Sequence, residues 1–261
     1  MPFTLAHPAA VVPLRRILVL SALIVGSMAP DFHYFLNLAP SWHFTHTIEG
    51  AFVYCLPLGL AVLWIFQTVM KRPLIALAPE QHQSRLVVMA TPFRWGPAWR
   101  FVLIVGSLLL GVLSHLVWDA CTHERGRFVR NIPDMRAPLF EEFGSQRPLY
   151  SFLQHGSSVL GMALLVFWYW RWFKRTSPQP VPAYLKLSSG TRTWTITLAL
   201  MIACGVSLAD GYVGSYRLAS WSRFASTSAV AFMSSVFLEA LVFSLWWQWW
   251  RVRADRKGLS P

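Results

Sequence analysis

Charged residues are scarce in this chain, and acidic residues are the scarcest. Only 13% of the 261 residues are charged, with 11 Asp and Glu in total, whereas about a quarter of an ordinary soluble domain is charged. The few charges lie in clusters between long uncharged stretches, and 55% of the residues are hydrophobic. This composition excludes a soluble globular domain and a disordered chain, and it indicates a polytopic membrane protein.

Cysteine is nearly absent as well. The three cysteines, Cys55, Cys121 and Cys204, are an odd and scattered set, and two of them lie inside apolar runs. They cannot form a disulfide framework or a cysteine-based zinc site, so packing is the role expected of them.

Long uncharged stretches are what the chain has instead. Five are long enough, the fourth barely so, to cross a hydrocarbon core of about 30 Å: residues 51–70, 101–118, 148–170, 193–209 and 224–250, the last interrupted only by Glu239. A sixth, residues 17–30, is short for a span and is typical of a re-entrant segment or of a signal-peptide core. The predicted fold is all-α, with about five transmembrane helices and a short N-terminal apolar helix.

Basic residues orient these spans. The net charge of +12 would suit a nucleic-acid-binding protein only on a soluble fold, so the lipid bilayer is the expected partner and nucleic acid is not. Residues 71–100, 171–192 and 251–257 are rich in Lys and Arg, which places them on the cytoplasmic side of a bacterial inner membrane. Residues 31–50 and the charge-balanced loop 119–147 then open on the extracytoplasmic side.

The same pattern predicts three parts of the chain. Residues 1–175 form a helical membrane domain that bears the candidate site. Residues 176–192, with Ser-Pro-Gln-Pro-Val-Pro at 177–182, form a cytoplasmic linker. Residues 193–261 form a C-terminal helical hairpin with a basic tail, in which the run Trp-Trp-Gln-Trp-Trp at 246–250 is typical of an interfacial aromatic belt.

His115, Asp119 and His123 stand at successive i, i+4 positions. If the helix continues past Trp118, they lie on one face and can present two imidazoles and a carboxylate to one cation. Zinc or another borderline divalent metal suits this mixture of nitrogen and oxygen ligands. The alternative is that Asp119 pairs with His115 or an arginine and only anchors the end of the helix in the interface.

Other ligand-type residues are expected at the same membrane boundary. Asp31 ends an apolar run, His46 lies just before the next span, and His155 enters from the same face. Side chains from separate helices would then assemble one site, as in a helical bundle. His7 lies on the opposite side if residues 17–30 span the membrane, so either that segment folds back or His7 is not part of the cluster.

Several motifs resemble an uncharacterised family of bacterial membrane proteins known as a domain of unknown function. They are Pro-Phe-Thr-Leu-Ala-His-Pro-Ala-Ala at 2–10, Gly-Ser-Met-Ala-Pro-Asp-Phe at 26–32, Thr-His-Thr at 45–47, Leu-Ser-His-Leu-Val-Trp-Asp-Ala-Cys-Thr-His at 113–123 and Leu-Gln-His-Gly-Ser-Ser at 153–158. The resemblance covers about residues 1–175. That family is similar to membrane-bound metal-dependent hydrolases and, more remotely, to zinc-dependent phospholipase C enzymes. The His-x-x-x-Glu of those enzymes is absent, since Val159 follows His155 at the fourth position.

The resemblance implies a site and an activity. Its ligands of first choice are Asp31, His46, His115 and Asp119, and its further ligands or orienting residues are His7, His123 and His155. Glu49 and Glu124 could serve as a general base or orient a ligand, and exposed loop acids are the alternative.

The expected function is metal-dependent hydrolysis at the extracytoplasmic face, acting on a lipid or envelope phosphoester. Arg125, Arg127 and Arg130 could hold an anionic group of the substrate, with a solvated loop face as the alternative. Two other functions remain open: a transporter, for which Glu239 is the most deeply placed acid, and a non-catalytic metal-binding or structural membrane protein.

Overall fold

The computed structural model describes residues 3–37, 44–142, 145–216 and 221–256, and most of these residues are helical. The α-helices of these residues are α1 (Pro8–Val11), α2 (Leu20–Met28), α3 (Phe32–Asn37), α4 (Ile48–Gly50), α5 (Leu56–Ile65), α6 (Lys71–Leu77), α7 (Glu80–Leu86), α8 (Ala98–Thr122), α9 (Arg127–Asn131), α10 (Leu149–Arg175), α11 (Ser189–Tyr216) and α12 (Trp221–Arg256). Two π-helical turns, Ala51–Cys55 and Phe66–Met70, join α4, α5 and α6 into one helical stretch. The strands β1 (Pro138–Glu142) and β2 (Ser145–Pro148) pair antiparallel.

Short 3-10 turns connect or extend these helices. They are Thr4–Ala6, Val12–Arg16, Ala29–Asp31, Phe44–His46, Val87–Met89, Pro133–Arg136 and Ala183–Leu185. Those at Thr4–Ala6, Ala29–Asp31 and Phe44–His46 carry residues of the candidate site.

Five helical stretches in the described part of the chain are long and apolar enough to cross a membrane. They are Ile48–Leu77, Ala98–Asn131, Leu149–Arg175, Ala183–Gly214 and Arg223–Arg251. Each corresponds to one of the predicted uncharged runs, which confirms the prediction of an all-α protein with about five transmembrane helices.

The short apolar segment near the N-terminus does not form a span. Helix α2 has nine residues, about 14 Å of helix, which is half the thickness of a hydrocarbon core. The backbone N–H of Val19 donates to Ser107 Oγ at 3.1 Å, and the Ser27 carbonyl accepts from His115 Nδ1 at 2.8 Å. The partners are 88 residues apart along the sequence in both pairs, so the two helices advance together. Helix α2 therefore runs parallel to α8, towards the end of α8 that carries Asp119.

Two glycines allow α2 and α8 to approach closely. A Cβ on Gly26 would clash with the Leu108 carbonyl, and a Cβ on Gly111 would lie 2.5 Å from the Leu23 carbonyl oxygen. Close approach of this kind is the ordinary use of small residues between membrane helices. It sets α2 at the depth at which the Ser27 carbonyl meets His115.

Replacing Gly111 with valine is therefore expected to push α2 away from α8. The overpacking should cost about 1–3 kcal/mol or more of folding free energy, and it should be visible as a lower Tm in detergent. Gly106→Val is the matched control, because a Cβ at Gly106 has nothing within 4 Å. Equal Tm losses in the two variants would contradict the role given to Gly111.

The chain forms two compact units. The first contains Met1–Phe32, His43–Leu63 and Trp95–Trp172, and the second contains His33–Trp42, Trp64–Arg94 and Phe173–Pro261. Residues 64–94 thus group with the C-terminal helices, whereas the sequence placed them with the site-bearing part. Within the second unit, Leu185 of the expected linker is fully buried beside Ile75, Ala76 and Trp247.

Candidate metal centre

Helix α8 provides one wall of a polar cluster in the first unit. His115, Asp119 and His123 project from successive turns of its last part, as the i, i+4 spacing predicts. They are buried, with exposed fractions of 0%, 3% and 7%. Such burial of ionisable side chains is costly unless they are paired or bind a cation.

Two short turns provide the opposite wall. Asp31 lies in the 3-10 turn that follows α2 and is 1% exposed. His46 ends the 3-10 turn that precedes α4, and its side chain is 1% exposed. Thr47 caps α4 by accepting from the backbone N–H of Gly50 at 2.9 Å. This cap fixes the point at which the chain enters the helix, one residue after His46.

Asp31, His46, His115 and Asp119 converge through one atom each and alternate around a ring. His46 Nε2 lies 3.3 Å from Asp31 Oδ1 and 3.5 Å from Asp119 Oδ2. His115 Nε2 lies 3.6 Å from Asp31 Oδ1 and 3.2 Å from Asp119 Oδ2. Two ligands of one tetrahedral zinc ion, each bound at about 2.05 Å, are about 3.3 Å apart. The neighbouring pairs therefore have the spacing of ligands that share an ion.

The remaining polar atoms of the ring residues point outwards to fixed partners. Thr4 Oγ1 donates to Asp31 Oδ2 at 2.5 Å, and His7 Nε2 lies 3.3 Å from Asp119 Oδ1. His115 Nδ1 donates to the Ser27 carbonyl at 2.8 Å. A neutral imidazole that donates from Nδ1 keeps its lone pair on Nε2, which faces the centre. Outer partners of this kind orient the ligands of metal sites.

His46 is held in the same way. Its Nδ1 lies 3.1 Å from the Thr45 hydroxyl. Its Nε2 is therefore the atom directed at the two carboxylates. All four ring residues thus have one atom fixed from outside and one atom left for the centre.

Two of the central atoms have no hydrogen-bond partner among the described residues. They are Asp31 Oδ1 and His115 Nε2, and both are inaccessible to solvent. A buried polar atom without a partner is rare in folded proteins and calls for an explanation such as an ion. Groups of three that could hold a metal ion are His46 with His115 and Asp119, and His7 with Asp31 and His115.

The electrostatics of the turn residues favour a cation. Burial alone would raise the pKa of Asp31, but the nearby imidazoles of His115 and His46 outweigh it, so the pKa lies below its ordinary value. Burial opposes the charged form of His46, yet the nearby carboxylates of Asp119 and Asp31 raise its pKa to about 9. Both shifts show that the two carboxylates attract positive charge.

His7 belongs to the cluster. Its ring stacks on that of His115 with centroids 3.9 Å apart, and it is 1% exposed. The N-terminal segment is held there by α10, where Ser158 Oγ accepts from the backbone N–H of Phe3 at 3.0 Å. Of the two alternatives for residues 17–30, the structure shows the one in which the chain folds back.

His123 lies at the edge of the ring. Its Nδ1 is 3.7 Å from Asp119 Oδ2, so it is a neighbour of the ring rather than one of its four members. It follows the last residue of α8 as the cap of the helix. It is also the most exposed of the buried histidines and aspartates described here.

Three predicted site residues are not brought into the cluster. His155 is exposed on α10, and Gln154 is the side chain of that turn that is buried. Glu49 and Glu124 are also exposed, which is the loop-acid alternative. No contact of these three with the ring is seen among the described residues, and the ligand role of His155 and the base roles of the two glutamates stay predictions.

The structure adds orienting groups that sequence reasoning missed. Thr4 and the Ser27 carbonyl hold Asp31 and His115 in place. Thr4 lies in the motif at residues 2–10, but nothing in the sequence indicates that it contacts Asp31. A backbone carbonyl such as that of Ser27 leaves no signal in the sequence at all.

The remaining candidates lie away from the ring. Arg125, Arg127 and Arg130 are exposed around α9, which follows α8 directly. Glu239 belongs to the second unit, where its Oε1 accepts from Ser235 Oγ at 2.6 Å.

Fold and site together define a polytopic helical membrane protein with a buried group of His and Asp residues that could hold a metal ion. The chain belongs to the family described as domain of unknown function DUF4184, which matches residues 1–245. The match extends beyond the 175 residues of the expected resemblance and includes most of the second unit. No curated protein and no solved structure matches the chain, so the similarity to metal-dependent hydrolases stays a prediction.

Proposed function

We propose that this protein is a membrane-bound metal-dependent hydrolase whose centre is the ring of Asp31, His46, His115 and Asp119. The observation that carries the proposal is a ring of four buried ligand atoms in which neighbouring atoms lie 3.2–3.6 Å apart. Two imidazoles and two carboxylates suit zinc or another borderline divalent metal. Such an ion lowers the pKa of a bound water from about 15.7 towards 7 and polarises a phosphoryl or carbonyl oxygen.

The protein residues have separate tasks in this proposal. Asp31 and Asp119 supply the negative charge that holds a dication in a buried place. Thr4 and His7 keep the second oxygen of each carboxylate turned outwards. The apolar surroundings exclude bulk water, which strengthens the electrostatic interactions of the centre.

The substrate we propose is a phosphoester of a lipid or of the cell envelope, reached from the extracytoplasmic face. The support is the position of the ring near the end of α8, beside a loop with exposed arginines. Arg125, Arg127 and Arg130 could hold an anionic group by charge-assisted hydrogen bonds. The excess of basic residues in the other loops supports this orientation in a bacterial inner membrane.

A second candidate is metal binding without catalysis. It is favoured by the number of ring residues, because four protein ligands are the full set of a structural zinc site, whereas catalytic sites keep one position open. In this case the ion would fasten the N-terminal segment and the turn before α4 to α8.

Hydrolysis of model phosphoesters distinguishes the two candidates. Protein loaded with zinc or manganese should hydrolyse bis-p-nitrophenyl phosphate or a phospholipid in mixed micelles, and Asp31→Asn should lower kcat at least about 100-fold. His155→Ala should keep the full rate, since His155 is exposed. A metal-loaded protein that turns over neither phosphoesters nor esters would contradict the hydrolase and leave the metal-binding candidate.

A further inference from the structure

One end of the second unit carries a strong excess of positive charge. Within residues 64–94 and 173–192 the only acid is Glu80. The basic residues of the same two segments are Lys71, Arg72, Arg85, Arg94, Lys174, Arg175, Lys186 and Arg192. The positive-inside rule explains why such residues are present, but it says nothing about how they are folded.

Two arginines at this end of the unit, Arg85 and Arg251, are packed against aromatic rings. Arg85 lies over the ring of Phe173 at 4.2 Å and donates from Nε to the Phe173 carbonyl at 3.0 Å. Arg251 lies 4.8 Å from the ring centroids of both Tyr184 and Trp247. Cation–π contacts fix a guanidinium while leaving most of its N–H groups to other acceptors. The charges of Arg85 and Arg251 are therefore held in fixed positions.

Beneath them lies a small apolar core. Ile75, Ala76, Ala90, Leu185 and Trp247 are buried together. The core joins α6, the turn Ala183–Leu185 and the end of α12. This core packs the segments against one another, so the surface that they form at this end of the unit is ordered.

Arg192 is a largely buried charge at this end of the unit, and its contacts are long. Its side chain is 11% exposed, and its carboxylate partner, Glu80, is 3.9 Å away and 82% exposed. Its NH2 group reaches Gln83 Oε1 only at 3.5 Å, and its Nε has no hydrogen-bond partner among the described residues. A largely buried guanidinium with such long contacts needs a further acceptor.

Gln83 cannot move to improve the contact. Its Nε2 donates to the Leu185 carbonyl at 2.8 Å and to the Ala76 carbonyl at 3.3 Å. This fixes the amide, with Oε1 directed towards Arg192. An external anion is thus the group that could complete the hydrogen bonding of the terminal NH1 and NH2 groups, whose contacts are 3.9 and 3.5 Å long, whereas Nε is closed to solvent.

The position of this surface identifies the anion. Three candidate spans end or begin here, at Leu77, Ala183 and Arg251, and lipid phosphates lie at the level where such helices leave the hydrocarbon. We propose that this surface binds the phosphate of an anionic membrane lipid, with Arg192 as its central ligand and Arg85 and Arg251 as neighbouring charges. Basic pockets between membrane helices bind anionic headgroups in this way, and the planar guanidinium matches a phosphate with two parallel hydrogen bonds.

Lipid titration of the purified, delipidated full chain tests the proposal. Phosphatidylglycerol and phosphatidylcholine are added separately in detergent, and the bound lipid is counted by native mass spectrometry. We expect a preference for phosphatidylglycerol, and we expect Arg192→Gln to weaken its binding about fivefold or more. Arg16→Gln, which removes an exposed arginine of the first unit that has no part in the proposed substrate site, should leave the binding unchanged.

Several results would overturn the lipid site. They are equal binding of the two lipids, equal losses in Arg192→Gln and Arg16→Gln, or displacement of the lipid by inorganic phosphate or a short oligonucleotide at equal concentration. If Arg192→Gln does not purify as a single species by gel filtration, Arg251→Gln takes its place with the same expected loss. Metal content should not change in either variant, which separates this test from that of the metal centre.

Discussion

The double variant His115→Ala/Asp119→Ala is expected to purify without a bound metal ion, whereas the unmodified chain purifies with about one ion per chain. The two residues are neighbours in the ring, and His115 Nε2 lies 3.2 Å from Asp119 Oδ2. Their removal leaves only Asp31 and His46, and two ligands are too few to compete with water and buffer for zinc. Metal content by inductively coupled plasma mass spectrometry is the measurement.

A matched control separates the loss of ligands from a general effect of two alanines. The variant His155→Ala/Asp134→Ala removes one histidine and one aspartate that are exposed, and it should keep the full metal content. Gel filtration of both variants in detergent shows whether each is folded. A native protein without stoichiometric metal would contradict the metal centre, and a double variant that keeps its metal would contradict the choice of ligands.

The parts of the centre that the sequence predicted are those that depend on a single helix. The spacing of His115, Asp119 and His123 is regular, and a helix converts it into one face. Asp31 and His46 were expected at the same membrane boundary from the predicted topology, and the resemblance to a family then made them ligands of first choice, because no spacing relates residues in separate turns. The ring thus contains two ligands predicted from periodicity and two predicted from topology and motifs.

Two placements differ between the sequence expectation and the structure, and the differences have one physical cause. An uncharged apolar run predicts that a helix crosses the membrane but does not fix its rotation, since every side carries apolar residues. This is why His155 could be expected in the cluster although Gln154 is the buried neighbour on α10. The grouping of residues 64–94 with the C-terminal helices was missed for a similar reason. It depends on contacts such as that of Gln83 with the Leu185 carbonyl, which leave no local pattern.

Between pH 6 and pH 9, the stability of the metal-free protein should fall as the pH rises, whereas the stabilisation by a bound metal ion should increase. In the metal-free protein, the pKa of His46 is raised from 6.5 to about 9, so its pairing with Asp31 and Asp119 stabilises the fold fully below about pH 6.5. This contribution is lost as the pH rises through about 9. The pKa of Asp31 is lowered, so its contribution is complete above the ordinary value of 3.8 and does not oppose this decline.

A bound metal ion reverses the trend because it competes with the proton on His46. The ion needs the neutral imidazole, so its affinity rises with pH, and it stabilises the fold by about 2.7 kcal/mol when the free ion is at about 100 times its Kd. We expect the difference in Tm between the zinc-loaded and the chelator-treated protein to grow from pH 6 to pH 9, while the Tm of the treated protein falls over the same range. His46→Gln should flatten the decline in the treated protein, and a decline that is as steep in this variant as in the unmodified chain would contradict the role of His46 as the proton-binding member of the ring.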